Sequence, residues 1–189
     1  DLYLDPRKRL ETEIQSCLLL EDYHLTPKLI AYDAEINMAL FEWIEGVHVK
    51  NVEKEHIDQA LRFIKILQGI KFLEYSQPAS ESCTSASQLF CQIEDRLMQL
   101  ETIENKLLCK FLNKVFTPLF HEVKEWSIQY WPVNNLHAEL PKNMQTLSPS
   151  DFGFHNSILR RDGKLCFLDL EYFGWDDPVK LVSDFYWHP

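Results

Sequence analysis

The spacing of apolar positions changes three times along the chain, and it predicts a helix, a pair of strands, a helical section and a closing β-hairpin. Residues 7–22 carry apolar side chains mostly along one side at helical spacing, with Pro6 just ahead of them. Residues 27–35 and 36–46 are rich in strand-forming side chains, with Asp33-Ala34-Glu35 between the two runs. They predict an antiparallel hairpin that ends at Gly46.

The middle of the chain has helical periodicity. Helices are predicted over residues 53–74, 86–101 and 104–130, with a loop over 76–85. Pro118 lies inside the last of these segments, and it is expected to kink or divide that helix, because proline has no backbone N–H to donate.

The C-terminal part returns to strand-like character after residues 131–147, which show no clear period. Two β-rich runs, 157–161 and 164–172, flank the dipeptide Asp162-Gly163. Such a dipeptide is the strongest short signal for a two-residue hairpin turn. The order of elements predicts a mixed α+β fold with a small β-containing front part and a mainly helical body.

Composition narrows the classes of function. The 189 residues include 19 Lys and Arg against 29 Asp and Glu, a net charge of −10. That balance argues against a nucleic-acid partner, and it suits a cationic substrate or divalent metals, although solubility alone would also explain it. The five cysteines are odd in number and none is spaced as CxxC, so we expect no zinc site and a reducing cytoplasm. No apolar run approaches the roughly 18 residues of a membrane span.

Oxygen-bearing side chains gather where the predicted C-terminal hairpin opens. A two-residue turn at 162–163 would place Leu159 opposite Cys166, Arg161 opposite Lys164 and Asn156 opposite Asp169.

Two more carboxylates join this group. Glu171 lies two residues beyond Asp169, and Asp151 lies five residues before Asn156. Each alone is more simply a solvated residue at a turn or strand end, but the four together predict a site for Mg²⁺.

These residues resemble the aminoglycoside phosphotransferase and choline kinase superfamily of small-molecule kinases, which have a protein-kinase-like fold. The likeness consists of D-x-x-x-x-N from Asp151, the L-D-x-E strand and the G-W-D-D-P turn. Residues 27–46 resemble the family's strand pair and hinge, and 88–101 resemble a helix of the larger lobe. The resemblance implies a partial N-terminal lobe over residues 1–46 and a helical C-terminal lobe, with the catalytic hairpin, over 47–189.

The resemblance also implies an activity: ATP- and Mg²⁺-dependent transfer of a phosphoryl group to a hydroxyl of a small molecule. Asp151 would be the catalytic base, and Asn156 and Asp169 would hold Mg²⁺. Four further residues would serve the nucleotide: Glu13, which matches the glutamate that pairs with the phosphate-binding lysine, and the hinge residues Glu42, Trp43 and Ile44.

Three departures from the family accompany the likeness. The usual His-Gly-Asp triplet is replaced by Pro149-Ser150-Asp151, no glycine precedes Gly46, and residues 1–6 hold no lysine. We therefore expect the chain to begin after the first strands of the small lobe, and to stop before the last helices of the large lobe.

Two other functions remain open at the level of sequence. The missing glycine-rich loop and lysine, together with Pro149, favour a non-catalytic kinase-like binding or regulatory module. A divalent-metal hydrolase would use the same carboxylates but lacks a second dense set of ligands. The acceptor, which in the family can be an antibiotic, amino alcohol, sugar or amino acid, and the oligomeric state are not predicted.

Overall fold

The N-terminal elements are a helix followed by a two-stranded antiparallel sheet. The computed structural model describes residues 8–71, 74–131 and 135–187. Helix α1 spans Arg9–Leu19, and a 3₁₀ turn spans Glu21–Tyr23. Strands β1 (Leu29–Asp33) and β2 (Met38–Phe41) pair as the predicted hairpin. Positions 7, 72–73 and 132–134 of the predicted segments lie outside the described residues.

The strands that follow form two further small sheets. Strand β3 (Gly46–His48) precedes helix α2 (Lys54–Gly69). The later elements are β4 (Thr146–Ser148), β5 (Ser157–Arg160), β6 (Leu165–Phe167), β7 (Gly174–Asp176) and α6 (Pro178–Trp187). Strand β5 lies between β3 and β6, and β4 pairs with β7, antiparallel throughout.

The described residues divide into two compact units. One contains the described residues up to Ser82 together with those from Lys142 onwards, and the other spans Cys83–Pro141. The lobe boundary that the resemblance implies, after residue 46, lies inside the first unit and stays a prediction.

The second unit is helical. It contains α3 (Ala86–Glu101), α4 (Lys106–Phe111) and α5 (Thr117–Tyr130), with a π-helical segment, Leu112–Phe116, between the last two. The predicted division at Pro118 therefore appears as a widened helical turn just before the proline. Among the described residues, no helix is long and apolar enough to cross a bilayer.

The core of the first unit is aromatic and lies behind the hairpin of β5 and β6. The rings of Phe63 on α2 and Phe167 on β6 stack with centroids 4.5 Å apart. Phe152 packs against both, at 5.5 and 5.3 Å, and against Phe185 of α6 at 5.1 Å. The residue after Asp151 is thus anchored in the core, which fixes the position of the loop that carries Asp151.

The register of the C-terminal hairpin differs by one residue from the prediction. Leu159 lies opposite Leu165 and not opposite Cys166. The loop has three residues, because the Arg160 N–H donates to the Lys164 carbonyl at 2.8 Å and the Gly163 N–H donates to the Arg160 carbonyl at 3.0 Å. A two-residue type I′ turn would require a left-handed backbone at both Asp162 and Gly163. Gly163 has one, with φ of 80°, but Asp162 does not.

The predicted pairs of Arg161 with Lys164 and of Asn156 with Asp169 are wrong for the same reason. The residue opposite Asn156 is Leu168, whose N–H donates to the Asn156 carbonyl at 2.8 Å. Strand β6 ends at Phe167, so Asp169 and Glu171 do not share the face of a continuing strand.

Candidate active site

A cavity of about 430 Å³ opens in the first unit beside the segment that joins β2 to β3. Apolar side chains form much of its wall, including Phe41, Val47, Ile158 and Phe167. Five residues implicated by the sequence also line it: Glu13, Glu42, Trp43, Ile44 and Asp169. An apolar cleft of this size with a few polar groups is typical of a small-molecule site.

The predicted hinge residues, Glu42–Ile44, line the cavity. The Glu42 N–H donates to the Lys28 carbonyl at 2.8 Å, which ties the hinge to the residue before β1. Among the described residues, no backbone partner is found for the Glu42 carbonyl or for the amides of Trp43 and Ile44. These groups can therefore bind a planar base.

The loop before Asp151 has an unusual backbone. Ser150 has φ of 66°, the left-handed region in which glycine is most at ease. Its N–H donates to Ser148 Oγ at 3.0 Å, and its hydroxyl donates to the Tyr172 carbonyl at 3.3 Å. Ser150 is the middle residue of the Pro149-Ser150-Asp151 triplet, and these two bonds hold it in the left-handed conformation.

Asp151 and Asn156, which the sequence placed together, are hydrogen-bonded. Asn156 Nδ2 donates to the Asp151 carbonyl at 3.0 Å and to Asp151 Oδ2 at 3.1 Å. His155 Nε2 lies 3.3 Å from Asp151 Oδ1, an ion pair whenever the imidazole is protonated. The carboxylate of Asp151 is held from two sides by residues of the turn that follows it.

Asp169 lies just after β6 and lines the cavity with Glu13, and these two interacting carboxylates form the charged end of the cavity. Its backbone is left-handed, with φ of 60°, so the chain turns there instead of extending the strand. Burial raises the pKa of the Asp169 carboxyl, as do the neighbouring carboxylates of Glu171 and Asp151, whereas His155 and Arg9 lower it in part. The ionised form of Asp169 is therefore held at a cost in the ligand-free chain.

Glu13 of α1 faces the same group of charges. Burial is the main reason that its pKa is raised, and the carboxylates of Asp169 and Glu171 raise it further. No lysine or arginine in the described ranges forms an ion pair with the Glu13 side chain. Arg9, one helical turn earlier, instead lies 3.5 Å from a carboxylate oxygen of Glu171.

The cavity wall also includes the thiol of Cys17, which stays protonated near neutral pH. Burial, and secondarily the Glu13 carboxylate, raise the pKa of Cys17 to about 12. A thiol with that pKa supplies almost no thiolate near neutrality, so Cys17 is not a nucleophile here.

The structure brings the predicted residues together in two groups. The hinge residues, Glu13 and Asp169 share the cavity, while Asp151 and Asn156 are bonded to one another beside Asp169. Sequence reasoning missed Arg9, although its position four residues before Glu13, on the same helical face, was a usable signal. No group of three or more His, Cys, Asp or Glu side chains in the described part of the chain is arranged to hold a metal ion.

The chain is similar to known proteins in its structure. No protein-family model and no curated protein sequence matches the chain. It resembles the choline kinase LicA of Streptococcus pneumoniae, with a TM-score of 0.56 and 17% identity over 94% of this chain and 55% of that one. It resembles the aminoglycoside phosphotransferase APH(2'')-IIa, solved as a ternary complex with streptomycin and ATP, with a TM-score of 0.56 and 19% identity over 93% and 58%.

The chain thus spans a little over half the length of either neighbour. Over that length, and with the predicted mixture of small β-containing and helical parts, it has the protein-kinase-like fold of choline kinase and aminoglycoside phosphotransferase.

Proposed function

We propose that the protein is an ATP- and Mg²⁺-dependent phosphotransferase that transfers the γ-phosphoryl group to a hydroxyl of a small molecule. The observation that carries the proposal is the cavity of about 430 Å³, whose lining includes both the hinge residues and the carboxylates of Glu13 and Asp169. An apolar slot with backbone donors suits a base, and an end rich in carboxylates suits a metal-bound triphosphate.

Adenine would lie between the apolar walls of the slot. The Glu42 carbonyl could accept from an exocyclic amine, and the Ile44 N–H could donate to a ring nitrogen. Because the Glu42 N–H is already used by Lys28, the base would be read by the later part of the hinge.

Asn156 and Asp169 fit a role in holding Mg²⁺. Asn156 uses its amide nitrogen on Asp151, which leaves its side-chain oxygen to serve as a ligand, and the Asp169 carboxylate accepts no hydrogen bond from another described residue. Mg²⁺ prefers one or two such protein oxygens with water and phosphate as its other ligands, so a three-carboxylate cage is not required. When bound, the ion would neutralise charge on the phosphates.

Asp151 would act as the base. As the acceptor oxygen attacks the γ-phosphorus, its proton would pass to Asp151 Oδ, and the bond to the β-phosphate oxygen would break to release ADP. The hydrogen bond from Asn156 and the contact with His155 would keep the carboxylate aimed at the acceptor. Positioning and electrostatics would supply most of the rate acceleration, because phosphoryl transfer needs little covalent help from the protein.

The acceptor is proposed only as a class. The two structural neighbours are a choline kinase and an aminoglycoside phosphotransferase, which supports a small molecule with a hydroxyl group as the acceptor. Neither neighbour decides which molecule that is.

Calorimetric titration with ATP, with and without Mg²⁺, tests the proposal. We expect Mg²⁺-dependent binding that Asp169→Ala weakens at least tenfold, and that Asp151→Asn leaves within about threefold of the parent while turnover is lost. The control Asp162→Asn changes a carboxylate in the exposed hairpin loop and should alter neither.

Three outcomes would contradict the proposal or a part of it. Absence of binding by the parent chain would refute the nucleotide site. Binding without turnover on any acceptor panel would favour the non-catalytic kinase-like module, and equal loss of binding and turnover in Asp151→Asn would remove Asp151 as the base.

A further inference from the structure

We propose that Arg9 is a positioning residue, which ties the start of α1 to Glu171 and thereby keeps the Glu13 carboxylate beside Asp169 at the charged end of the cavity. The inference rests on the proposed nucleotide site and assigns part of its organisation to a contact outside the cavity wall.

The contact joins two separate segments of the first unit. Arg9 Nη1 lies 3.5 Å from Glu171 Oε1, and the side chains are 46% and 26% exposed. Arg9 and Glu13 are four residues apart on α1, so they lie on one face with a single helical turn between them. A contact made by Arg9 therefore sets the distance of Glu13 from the segment that holds Asp169.

The charges explain why such a contact is needed. Glu13, Asp169 and Glu171 act on each other electrostatically, and like charges at that range repel. Repulsion alone would drive α1 away from the segment after β6. The guanidinium of Arg9, at the start of α1, attracts Glu171 and so opposes that repulsion. The same guanidinium also interacts electrostatically with Asp169.

Glu171 lies in a segment that is well fixed. Leu170 and Phe173, on either side of it, are buried in the core, and the Tyr172 carbonyl accepts from the Ser80 N–H at 3.2 Å. An ion pair to Glu171 therefore ties the start of α1 to a fixed part of the first unit.

The first test compares ligands with and without phosphates. In Arg9→Gln, we expect the Kd for Mg·ATP to rise about three- to fivefold, the size of a partly exposed ion pair, while the Kd for adenosine stays unchanged. Arg9→Lys should retain most of the affinity. A variant that merely loosened the fold would weaken both ligands, so the ratio of the two affinities reports on positioning.

A matched control and a double variant complete this test. Arg161 makes a more exposed ion pair of similar length, at 3.3 Å with Glu45, on the hairpin loop, and Arg161→Gln should change neither Kd. Glu171→Gln should weaken Mg·ATP, and adding Arg9→Gln to it should produce little further loss. Unchanged affinity for Mg·ATP in Arg9→Gln, an equal loss for adenosine, or effects that multiply in the double variant would overturn the inference.

Hydrogen exchange of the ligand-free chain makes the test independent of nucleotide binding. Amides of α1 should exchange faster in Arg9→Gln and Glu171→Gln alike, with no added effect in the double variant, and at the parent rate in Arg161→Gln. If the parent binds no nucleotide, the proposed function fails, but the exchange rates still decide whether Arg9 holds α1. Parent-like exchange in Arg9→Gln would overturn the inference.

Discussion

Replacing Lys180 with methionine should destabilise the protein strongly, because it would remove a cation that pairs with a buried carboxylate. Asp176 at the end of β7 is fully buried, and its Oδ2 lies 3.2 Å from Lys180 Nζ. The same ammonium donates to Asp184 Oδ2 at 2.9 Å. Methionine preserves most of the aliphatic stem of Lys180, so the change removes mainly the charge.

The magnitude follows from the burial of the pair. Removal of one partner of a buried ion pair costs about 3–5 kcal/mol. The Lys180 side chain keeps some contact with solvent, at 19% exposure, so we expect the lower end, about 3 kcal/mol. With a urea slope of about 2 kcal/mol/M, the unfolding midpoint should fall by about 1.5 M.

Urea unfolding followed by circular dichroism measures the change. Lys164→Met is the control, because the Lys164–Asp162 pair is 3.8 Å long with side chains 77% and 56% exposed, and we expect it to stay within about 0.5 kcal/mol of the parent. Adding Asp176→Asn to Lys180→Met should recover much of the loss, since no charge is then buried. A midpoint shift for Lys180→Met no larger than that of Lys164→Met would refute the reasoning.

The pH dependence of the same difference has a definite sign. Burial lowers the pKa of Lys180, but Asp184 and Asp176 outweigh burial, and the pKa is raised above 10.5. A raised pKa on a cationic group gives stability that is complete below the unfolded pKa and is lost as the pH rises through the folded one. The advantage of the parent over Lys180→Met should therefore be constant from pH 7 to about 10 and should shrink at higher pH.

Three further substitutions test the candidate site. Asp169→Asn should raise the melting temperature of the ligand-free chain at pH 7 in a thermal scan, because the raised pKa means that ionised Asp169 destabilises the fold, and a lower melting temperature would contradict this. Ser150→Gly should be about 1 kcal/mol more stable than Ser150→Ala in urea, since both lose the bond to Tyr172 but only glycine relieves the left-handed backbone; equal stabilities would argue against strain there. Gly46→Ala should cost about 1–3 kcal/mol in urea and weaken Mg·ATP in a titration, because its Cβ would meet the Leu159 carbonyl across β3 and β5, and parent-like behaviour would show that the strands can separate freely.

The elements that depend on local pattern were predictable from the sequence. Helix α3 matches the predicted range of 86–101, and the hairpin of β1 and β2 forms around the expected turn, where Asp33 Oδ1 accepts from the Glu35 N–H at 2.9 Å. Periodicity and turn chemistry act within a few residues, so they can be read without knowledge of the fold.

The register of the C-terminal hairpin was not predictable in the same way. The sequence Asp162-Gly163 permits both a two-residue turn and a three-residue loop, and the second is found. That single-residue difference moves every cross-strand pair, so the predicted opposition of Asn156 and Asp169 is wrong. The turn sequence alone does not fix the register, and β5 also pairs with β3, a contact distant in sequence.

Asp169 nevertheless lies close enough to Asp151 for the two carboxylates to interact. The reason is a turn of the backbone that sequence patterns do not reveal. The strand stops at Phe167, and the left-handed backbone of Asp169 redirects the chain. If the strand had continued, the alternation of its side chains would have placed Asp169 on a face determined by its position in the sequence. The structure brings Asp151, Asn156 and Asp169 near one another, but not through the geometry that the sequence predicted.

Two of the left-handed residues lie in the proposed site. Five non-glycine residues of the described chain have positive φ. Lys8 and His24 flank helical turns and Asn37 lies in the β1–β2 turn, where such a conformation is ordinary. Ser150 and Asp169 remain, and they lie next to Asp151 and at the charged end of the cavity.

Such conformations persist only where the surroundings enforce them. Here the aromatic core adds to the hydrogen bonds of Ser150, because Phe152 and Phe167, which lie two residues after Ser150 and two residues before Asp169, pack with centroids 5.3 Å apart. The same packed pair that stabilises the fold thus fixes the spacing between the segment of the proposed base and the segment of the proposed metal ligand. Loosening it with Phe152→Leu should therefore reduce turnover more than it reduces adenosine affinity, because the hinge lies on a different segment.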